Sequence, residues 1–194
     1  MLERTLQEWR AGCRHGRLGP DLWLFGYASL IWRPEFPTDE HRSARVHGWH
    51  RSLQMHSRVN RGTPQRPGLV FALLSGGSCR GMVYRVGRHR AEAEMQRLWD
   101  REMPNGVYDP RWLDCQTPQG PVRALAFTLS RRSPAWAGSM DETQLLSLLR
   151  EARGRFGTTL EYLVETARCL RERGIHDREI ERLMRVAQRG GLAG

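Results

Sequence analysis

Residues 25–32, which read Phe-Gly-Tyr-Ala-Ser-Leu-Ile-Trp, combine small side chains with a position that could turn backbone N–H groups toward a ligand. The segment follows an apolar run at 22–25 that is typical of a buried strand. Gly26, Ala28 and Ser29 add little bulk, so successive amides could approach a carboxylate or an oxyanion. An ordinary turn containing Gly and Ser is the alternative, and the residue types alone leave both open.

A carboxylate in the helix predicted over about residues 90–103 is the second feature that could do chemistry. At about 100° per residue, the stripe centred on Ala91 includes Met95, Leu98 and Trp99. Glu102 falls at about 20°, in the middle of this stripe, whereas Asp100 and Arg101 fall at about 180° and about 280°. The projection therefore predicts one inward-facing carboxylate, and Glu94, at about 300°, is expected to be a neutral comparison.

An inward carboxylate is a candidate for proton transfer, because burial disfavours the charged form and raises the pKa. Apolar neighbours such as Met95, Leu98 and Trp99 would push the pKa of Glu102 upward. The alternatives are a salt bridge to a core arginine and a helix end that has already frayed.

Several motifs occur in an order that points to one known family. They are 23–32 followed by Arg-Pro-Glu-Phe-Pro at 33–37, Arg-Gly-Thr-Pro at 61–64 with Pro67 and Gly68, Gly-Met-Val-Tyr-Arg-Val at 81–86, Arg101-Glu102 leading to Gly106 and Tyr108, and a tail with Tyr162-Leu163 and Gly-Ile-His-Asp at 174–177. Together they resemble the ChaC-type gamma-glutamylcyclotransferases, whose hallmark is Tyr-Gly-Ser-Leu after a first strand. The resemblance covers about residues 22–187, and it is specific because of the order of the motifs.

The resemblance implies an α+β fold, with a small mixed or barrel-like sheet, surrounding helices and a helical C-terminal third. It implies cleavage of glutathione to 5-oxoproline and cysteinylglycine, with Glu102 as the catalytic acid-base and no cofactor or metal. The substrate-binding residues expected on this basis are Leu24, Phe25, Gly26, Tyr27, Ala28, Ser29, Leu30, Arg61, Gly62, Thr63 and Tyr108.

Two residues depart from the family pattern. Ala28 stands at the hallmark glycine, where it keeps the amide but adds a methyl group and disfavours positive φ. Trp136 stands where family members often have tyrosine, which puts the contacts to the cysteinylglycine half in doubt.

The elements that must position these residues are readable from the same sequence. β-rich runs at 44–59, 69–74, 81–86 and 122–129 predict a strand-dominated middle around the one helix. Capping boxes at 141–144 and 158–161, with Gly154, Gly174 and Gly190 at expected helix ends, predict a helical tail. Its apolar stripes are Leu160, Leu163, Val164, Ala167 and Leu170, then Ile180, Leu183, Met184 and Ala187.

Composition narrows the function classes. The length of 194 residues predicts a single domain, in which residues 1–20 form an N-terminal amphipathic extension. The sequence shows neither the apolar h-region of a signal peptide nor a membrane span, and we therefore expect a cytoplasmic location. The net charge is +10, and because the sequence has no lysine, all of its basic side chains apart from histidine are arginines. These arginines are scattered along the chain and are not accompanied by a nucleic-acid-binding motif. No Cys-x-x-Cys spacing supports a zinc site, and His47 and His50 would face opposite sides of a strand.

Glutathione is accordingly the expected small-molecule partner, with no nucleic acid and no membrane, while the oligomeric state stays open. Ser29 lacks the Gly-x-Ser-x-Gly elbow of a nucleophile and is expected to orient substrate. The alternatives are a cyclotransferase for other gamma-glutamyl peptides or amides, and a basic, non-catalytic nucleic-acid-binding module.

Overall fold

The computed structural model describes residues 1–16, 19–103 and 106–192. The elements are α1 (Leu2–Arg14), β1 (Leu22–Gly26), α2 (Ser29–Trp32), β2 (Glu40–Ser57), β3 (Gly68–Val86), α3 (Arg88–Glu102), β4 (Asp109–Thr117), β5 (Gly120–Thr128), α4 (Glu142–Glu151), β6 (Arg153–Gly154), β7 (Gly157–Thr158), α5 (Thr159–Glu172) and α6 (Arg178–Arg189).

The chain divides into two compact units. The first comprises Met1–Trp49 and Ser75–Thr128, and the second comprises His50–Leu74 and Leu129–Gly194. Strands β2 and β3 therefore contribute residues to both units. The single domain expected from chain length stays a prediction.

In the first unit the strands close into a barrel in the order β1, β3, β2, β4, β5. Strand β1 runs antiparallel to β3, with Leu24 opposite Tyr84, and parallel to β5, with Leu24 opposite Leu125. All five residues of β1 are buried, which the apolar run at 22–25 predicted. A mixed, barrel-like sheet with helices around it confirms the α+β expectation.

The strand predictions were wrong in two places. Residues 69–74 and 81–86 belong to one strand, β3, which continues through the Ser-Gly-Gly-Ser stretch between them. Gly76 and Gly77 adopt positive φ of 100° and 69° inside the strand, a conformation that glycine tolerates. Strand β4 was missed, because its burial pattern includes few fully buried residues among polar ones.

The second unit contains the helical tail. Both predicted capping boxes are present, with Asp141 accepting from the Gln144 amide and Thr158 from the Glu161 amide. Gly174 adopts the predicted positive φ of 65° after α5. At the other two ends the prediction was wrong: Gly154 lies in β6, and Gly191 (φ 69°) takes the position expected of Gly190.

The apolar stripes of the tail are confirmed at most of their positions. Leu163, Ala167, Leu170, Ile180, Leu183 and Ala187 are buried. Val164 is 38% exposed, because the buried face of α5 is shifted toward Tyr162 and Thr166. The Tyr162 hydroxyl accepts a hydrogen bond from the Phe71 amide, which explains why a polar-tipped residue takes the inner position.

The close approach of β1 and β3 requires glycine at position 81. A Cβ added to Gly81 would lie 2.3 Å from the Gly26 carbonyl oxygen and 2.9 Å from the Phe25 ring. We predict that Gly81→Ala lowers the free energy of unfolding by about 1–3 kcal/mol in urea denaturation, because the barrel backbone must shift. Gly19→Ala, where a Cβ meets nothing within 4 Å, is the control and should change stability by less than about 0.5 kcal/mol. Equal stability of both variants would contradict the constraint.

Candidate active site

Glu102 is the last residue of α3 and has a largely buried side chain, 16% exposed. Burial raises the pKa of its carboxyl above the ordinary range. Two charges modify this effect: Arg101 lowers the pKa, and Glu35 raises it further. The inward orientation predicted from the helical projection agrees with this position, and the raised pKa makes the carboxylate a stronger base than an exposed glutamate.

The projection predicted that the Arg101 side chain points away from Glu102, and this prediction was wrong. Its Nε lies 3.1 Å from Glu102 Oε1, and Nη1 lies 3.0 Å from Glu35 Oε2. The same Nη1 donates to the carbonyl of Arg33 at 2.6 Å. The helix ends at Glu102, and the long arginine stem lets the guanidinium turn back over that end whatever the direction of its Cβ.

Glu94 was expected outside the buried stripe, and this expectation was wrong. Glu94 is only 6% exposed, and its Oε2 has no hydrogen-bond partner among the described residues. The buried residues of α3 are Ala91, Glu94, Met95 and Leu98. The buried arc therefore extends to about 300° on the projection, while Trp99, at about 80°, lies at its half-exposed edge. Glu94 cannot serve as a neutral comparison.

The small-residue loop begins where β1 ends. Gly26 is required there, because an added Cβ would lie 3.0 Å from both Leu30 Cβ and Tyr84 Cε2. Leu24, Phe25, Gly26, Tyr27, Ala28 and Leu30 are buried, and Ser29 is half-buried. The turn α2 is closed by bonds from the Ile31 amide to the Ala28 carbonyl (2.8 Å) and from the Arg33 amide to the Ser29 carbonyl (2.7 Å).

Ala28 has φ −147°, outside the left-handed region, so this position does not need glycine for a positive φ. The departure from glycine at this position therefore imposes no positive-φ strain. The methyl group is buried, with 5% of the residue exposed, which leaves little room for a larger side chain.

Phe127 of β5 joins the loop side of the site to the α3 side. Its carbonyl accepts a 3.0 Å hydrogen bond from the Tyr27 hydroxyl. Its ring makes edge contacts with Trp99 at 6.0 Å and with Tyr108 at 6.1 Å between centroids. Trp99 lies one turn before Glu102, so a single β5 residue contacts both the loop and the helix that carries the carboxylate. Tyr108 was predicted to bind substrate and lies buried in this aromatic cluster.

Arg61, Gly62 and Thr63 belong to the second unit. Arg61 Nη1 donates to the carbonyls of Phe156 and Thr158, and its guanidinium lies 5.2 Å from the centre of the Tyr162 ring. Thr63 Oγ1 accepts from the Arg66 amide at 3.1 Å and thereby closes a turn. These contacts give Arg61 and Thr63 a structural role, and their assignment to substrate stays a prediction.

Sequence reasoning missed two residues of the site, Glu35 and Phe127. Glu35 was noticed only as part of a motif, and its positive φ of 57° is invisible without coordinates. Phe127 was noticed only as part of a predicted strand. The Arg-Pro-Glu sequence at 33–35, with opposite charges two residues apart, was the available signal for Glu35. No local sequence feature distinguished Phe127.

Other features of the described residues bear on the range of chemistry. They contain no cluster of three or more His, Cys, Asp or Glu residues arranged to hold a metal ion. Within the same residues, no helix combines the length and the apolar character that crossing a membrane requires.

A family model described as ChaC-like protein matches residues 22–189. The glutathione-specific gamma-glutamylcyclotransferase of Escherichia coli K12 is 34% identical over 160 residues, which cover 82% of this chain and 69% of that protein. The human glutathione-specific gamma-glutamylcyclotransferase 1 is 32% identical over 151 residues, covering 75% and 68% respectively.

The fold is also found among solved structures. The crystal structure of the yeast gamma-glutamyl cyclotransferase specific to glutathione superposes with a TM-score of 0.79 at 18% identity, covering 88% of this chain and 96% of that one. At this level of identity the likeness concerns the fold alone.

The raised pKa of Glu102 predicts a pH-dependent effect on stability. An acid whose pKa is higher in the folded than in the unfolded chain destabilises the fold once it must ionise. Glu102→Gln removes that ionisation, so the variant should have a higher Tm than wild type near pH 7.5. Below about pH 4, where the carboxyl is protonated in both states, the difference should be smallest. Thermal unfolding across this range checks the sign, and a Tm gain that grows toward acid pH would contradict it.

Proposed function

The chain belongs to the ChaC-like protein family, and on that premise we propose that it cleaves glutathione to 5-oxoproline and cysteinylglycine. The observation that supports this activity in the structure is the buried Glu102 carboxylate, tied through Arg101 to the segment that follows the small-residue loop. Relatives at 32% to 34% identity carry the name glutathione-specific gamma-glutamylcyclotransferase, which supports glutathione as the substrate.

The reaction is an intramolecular acyl transfer. The α-amine of the glutamyl group attacks its own γ-carbonyl carbon, a C–N bond forms to close the five-membered lactam, and the C–N bond to cysteine breaks. Two protons leave the original α-ammonium, and both end on the departing amine. The enzyme must therefore hold the substrate folded, move protons and stabilise an oxyanion.

Glu102 is the residue we assign to proton transfer. An α-ammonium is mostly protonated near neutral pH, so a base must remove a proton before the nitrogen can attack. A fully solvated glutamate is a weak base, whereas burial raises the pKa of Glu102 and so makes it a stronger one. The same carboxyl, once protonated, can return the proton to the cysteinylglycine nitrogen.

The loop after β1 is the part we assign to the gamma-glutamyl group. The first N–H groups of a helical turn have no partner within the turn, so the amides of Ser29 and Leu30 at the start of α2 are suited to donate hydrogen bonds to an anionic or polarised oxygen. Small residues at 26, 28 and 29 add little side-chain bulk around these amides. Leu24 and Phe25 support the loop from the buried strand, and the Tyr27 hydroxyl fixes it to Phe127.

Tyr108 would form an aromatic wall of the site together with Trp99, since both rings contact Phe127.

Trp136 Nε1 donates to Gln54 Oε1 at 3.3 Å, so this departure from the family pattern is anchored within the second unit. A cytoplasmic location, independence of cofactors and the absence of a nucleic-acid partner remain parts of this proposal.

Activity is tested most directly with the Glu102 carboxylate. We predict that the purified protein releases 5-oxoproline from glutathione, and that Glu102→Gln lowers kcat about 10²- to 10⁴-fold with little change in substrate affinity. Glu92→Gln is the matched control, because Glu92 lies on the same helix but is half exposed and paired with Arg10. A panel of gamma-glutamyl dipeptides distinguishes glutathione specificity from broader activity. Absence of 5-oxoproline with every substrate would refute the function.

The loop is tested by bulk at Ala28. We predict that Ala28→Gly keeps most of the activity, because the amide is retained, whereas Ala28→Val raises KM or abolishes turnover by obstructing the amides. Steady-state kinetics with glutathione, together with thermal unfolding to show that each variant is folded, give the readout. Unchanged kinetics in a folded Val variant would mean that substrate binds elsewhere.

A further inference from the structure

Arg101 contacts three consecutive residues, 33 to 35, of the segment that follows the small-residue loop and α2. Its Nη1 donates to the carbonyls of Arg33 (2.6 Å) and Pro34 (3.3 Å) and pairs with Glu35 (3.0 Å). Its Nε pairs with Glu102 at 3.1 Å. One guanidinium therefore holds the candidate base and the chain that leaves α2 at a fixed separation.

The segment held by Arg101 is strained at one residue. Glu35 has φ 57°, a left-handed conformation that is unfavourable for a non-glycine residue. Such a conformation persists where its surroundings determine it, and here both carboxylate oxygens of Glu35 are engaged, one by Arg101 and the other by Arg33. The backbone is thus bent so that a second carboxylate reaches the guanidinium used by Glu102.

We infer that Arg101 is a positioning residue, which orients the Glu102 carboxylate toward the small-residue loop after β1. Glu35 shares the positive charge of Arg101. This inference rests on the proposed role of Glu102. A planar guanidinium with several N–H donors can bridge two carboxylates and two carbonyls at once, whereas an ammonium is a point charge on a flexible stem. Arginine is therefore required for the geometry, beyond its charge.

The arrangement makes opposite predictions for the two partners of Arg101. In the described part of the chain, the charges that act on Glu102 are Arg101 from α3 and Glu35 from the segment after α2, while Arg33 pairs with Glu35. Arg101 lowers the pKa of Glu102, and Glu35 raises it. Removing the arginine charge should raise this pKa, and removing the Glu35 charge should lower it.

The experiment measures kcat/KM for glutathione against pH in wild type, Arg101→Gln, Arg101→Lys and Glu35→Gln. The acid limb reports the ionisation of the free enzyme's base. We expect it to move to higher pH in Arg101→Gln and to lower pH in Glu35→Gln. Arg101→Gln should also lose about 10- to 100-fold in kcat/KM through misplacement of the carboxylate. Arg101→Lys should lose rate while its acid limb stays closer to wild type.

Arg10→Gln is the matched control, because it removes a bidentate arginine–glutamate pair between α1 and α3 without touching Glu102. Nε and Nη2 of Arg10 lie 2.8 and 2.7 Å from the Glu92 carboxylate oxygens. The acid limb of Arg10→Gln should not move. A purely structural role for Arg101 would lower activity and Tm in the variants without opposite movements of the acid limb. Movement in the same direction for Arg101→Gln and Glu35→Gln, or none in either, overturns the inference.

A second readout separates failure of this inference from failure of the proposed function. The carboxyl carbon of Glu102, assigned by its loss in Glu102→Gln, can be titrated by NMR in protein labelled with ¹³C-glutamate. Opposite shifts of its titration in Arg101→Gln and Glu35→Gln would support the positioning role even in a protein inactive on glutathione. Unchanged titration in an active enzyme would refute the positioning role alone.

Discussion

A carboxylate that is removed from water loses hydration, which an opposite charge or hydrogen bonds must replace. In this protein the Arg101 guanidinium supplies that opposite charge to Glu102. Partial burial raises the pKa of Glu102, and the guanidinium limits that rise without cancelling it. Glu35 pairs with the same guanidinium, so the positive charge of Arg101 is shared between two carboxylates. A base poised for proton transfer therefore depends on a cation that is shared.

The barrel supplies the rigidity that this arrangement needs. Strand β1 is buried along its whole length, and the glycines at 26 and 81 let its end lie against β3 and the turn of α2. The Tyr27 hydroxyl and the Trp99 ring both contact Phe127, so strand β5 fixes the loop and the end of α3 in one frame. Groups that are held by strands in this way keep their relative positions, which favours an intramolecular reaction.

Two carboxylates of α3, Glu102 and Glu94, are largely withdrawn from water. Glu102 destabilises the fold when ionised and is assigned to the reaction. Glu94 is more buried, at 6% exposed, and faces Arg97 at 3.6 Å without a hydrogen bond to its Oε2 among the described residues. The proposed mechanism does not use Glu94, so its burial is a structural cost of the helix face that also positions Glu102.

The sequence by itself determined the buried strand β1, the helix ending in Glu102 and both capping boxes, because each depends on neighbours within about a dozen residues. The order of the motifs along the chain, which indicated the family, is also a property of the sequence alone. The tertiary structure decided the rest. The continuity of β3 through two glycines, the burial of Glu94, the return of Arg101 over the end of α3 and its contact with Glu35 all depend on residues distant in sequence or on side-chain rotation. A helical projection assigns directions to Cβ atoms, whereas the reach of a guanidinium and the width of a buried face are set by what packs against the helix.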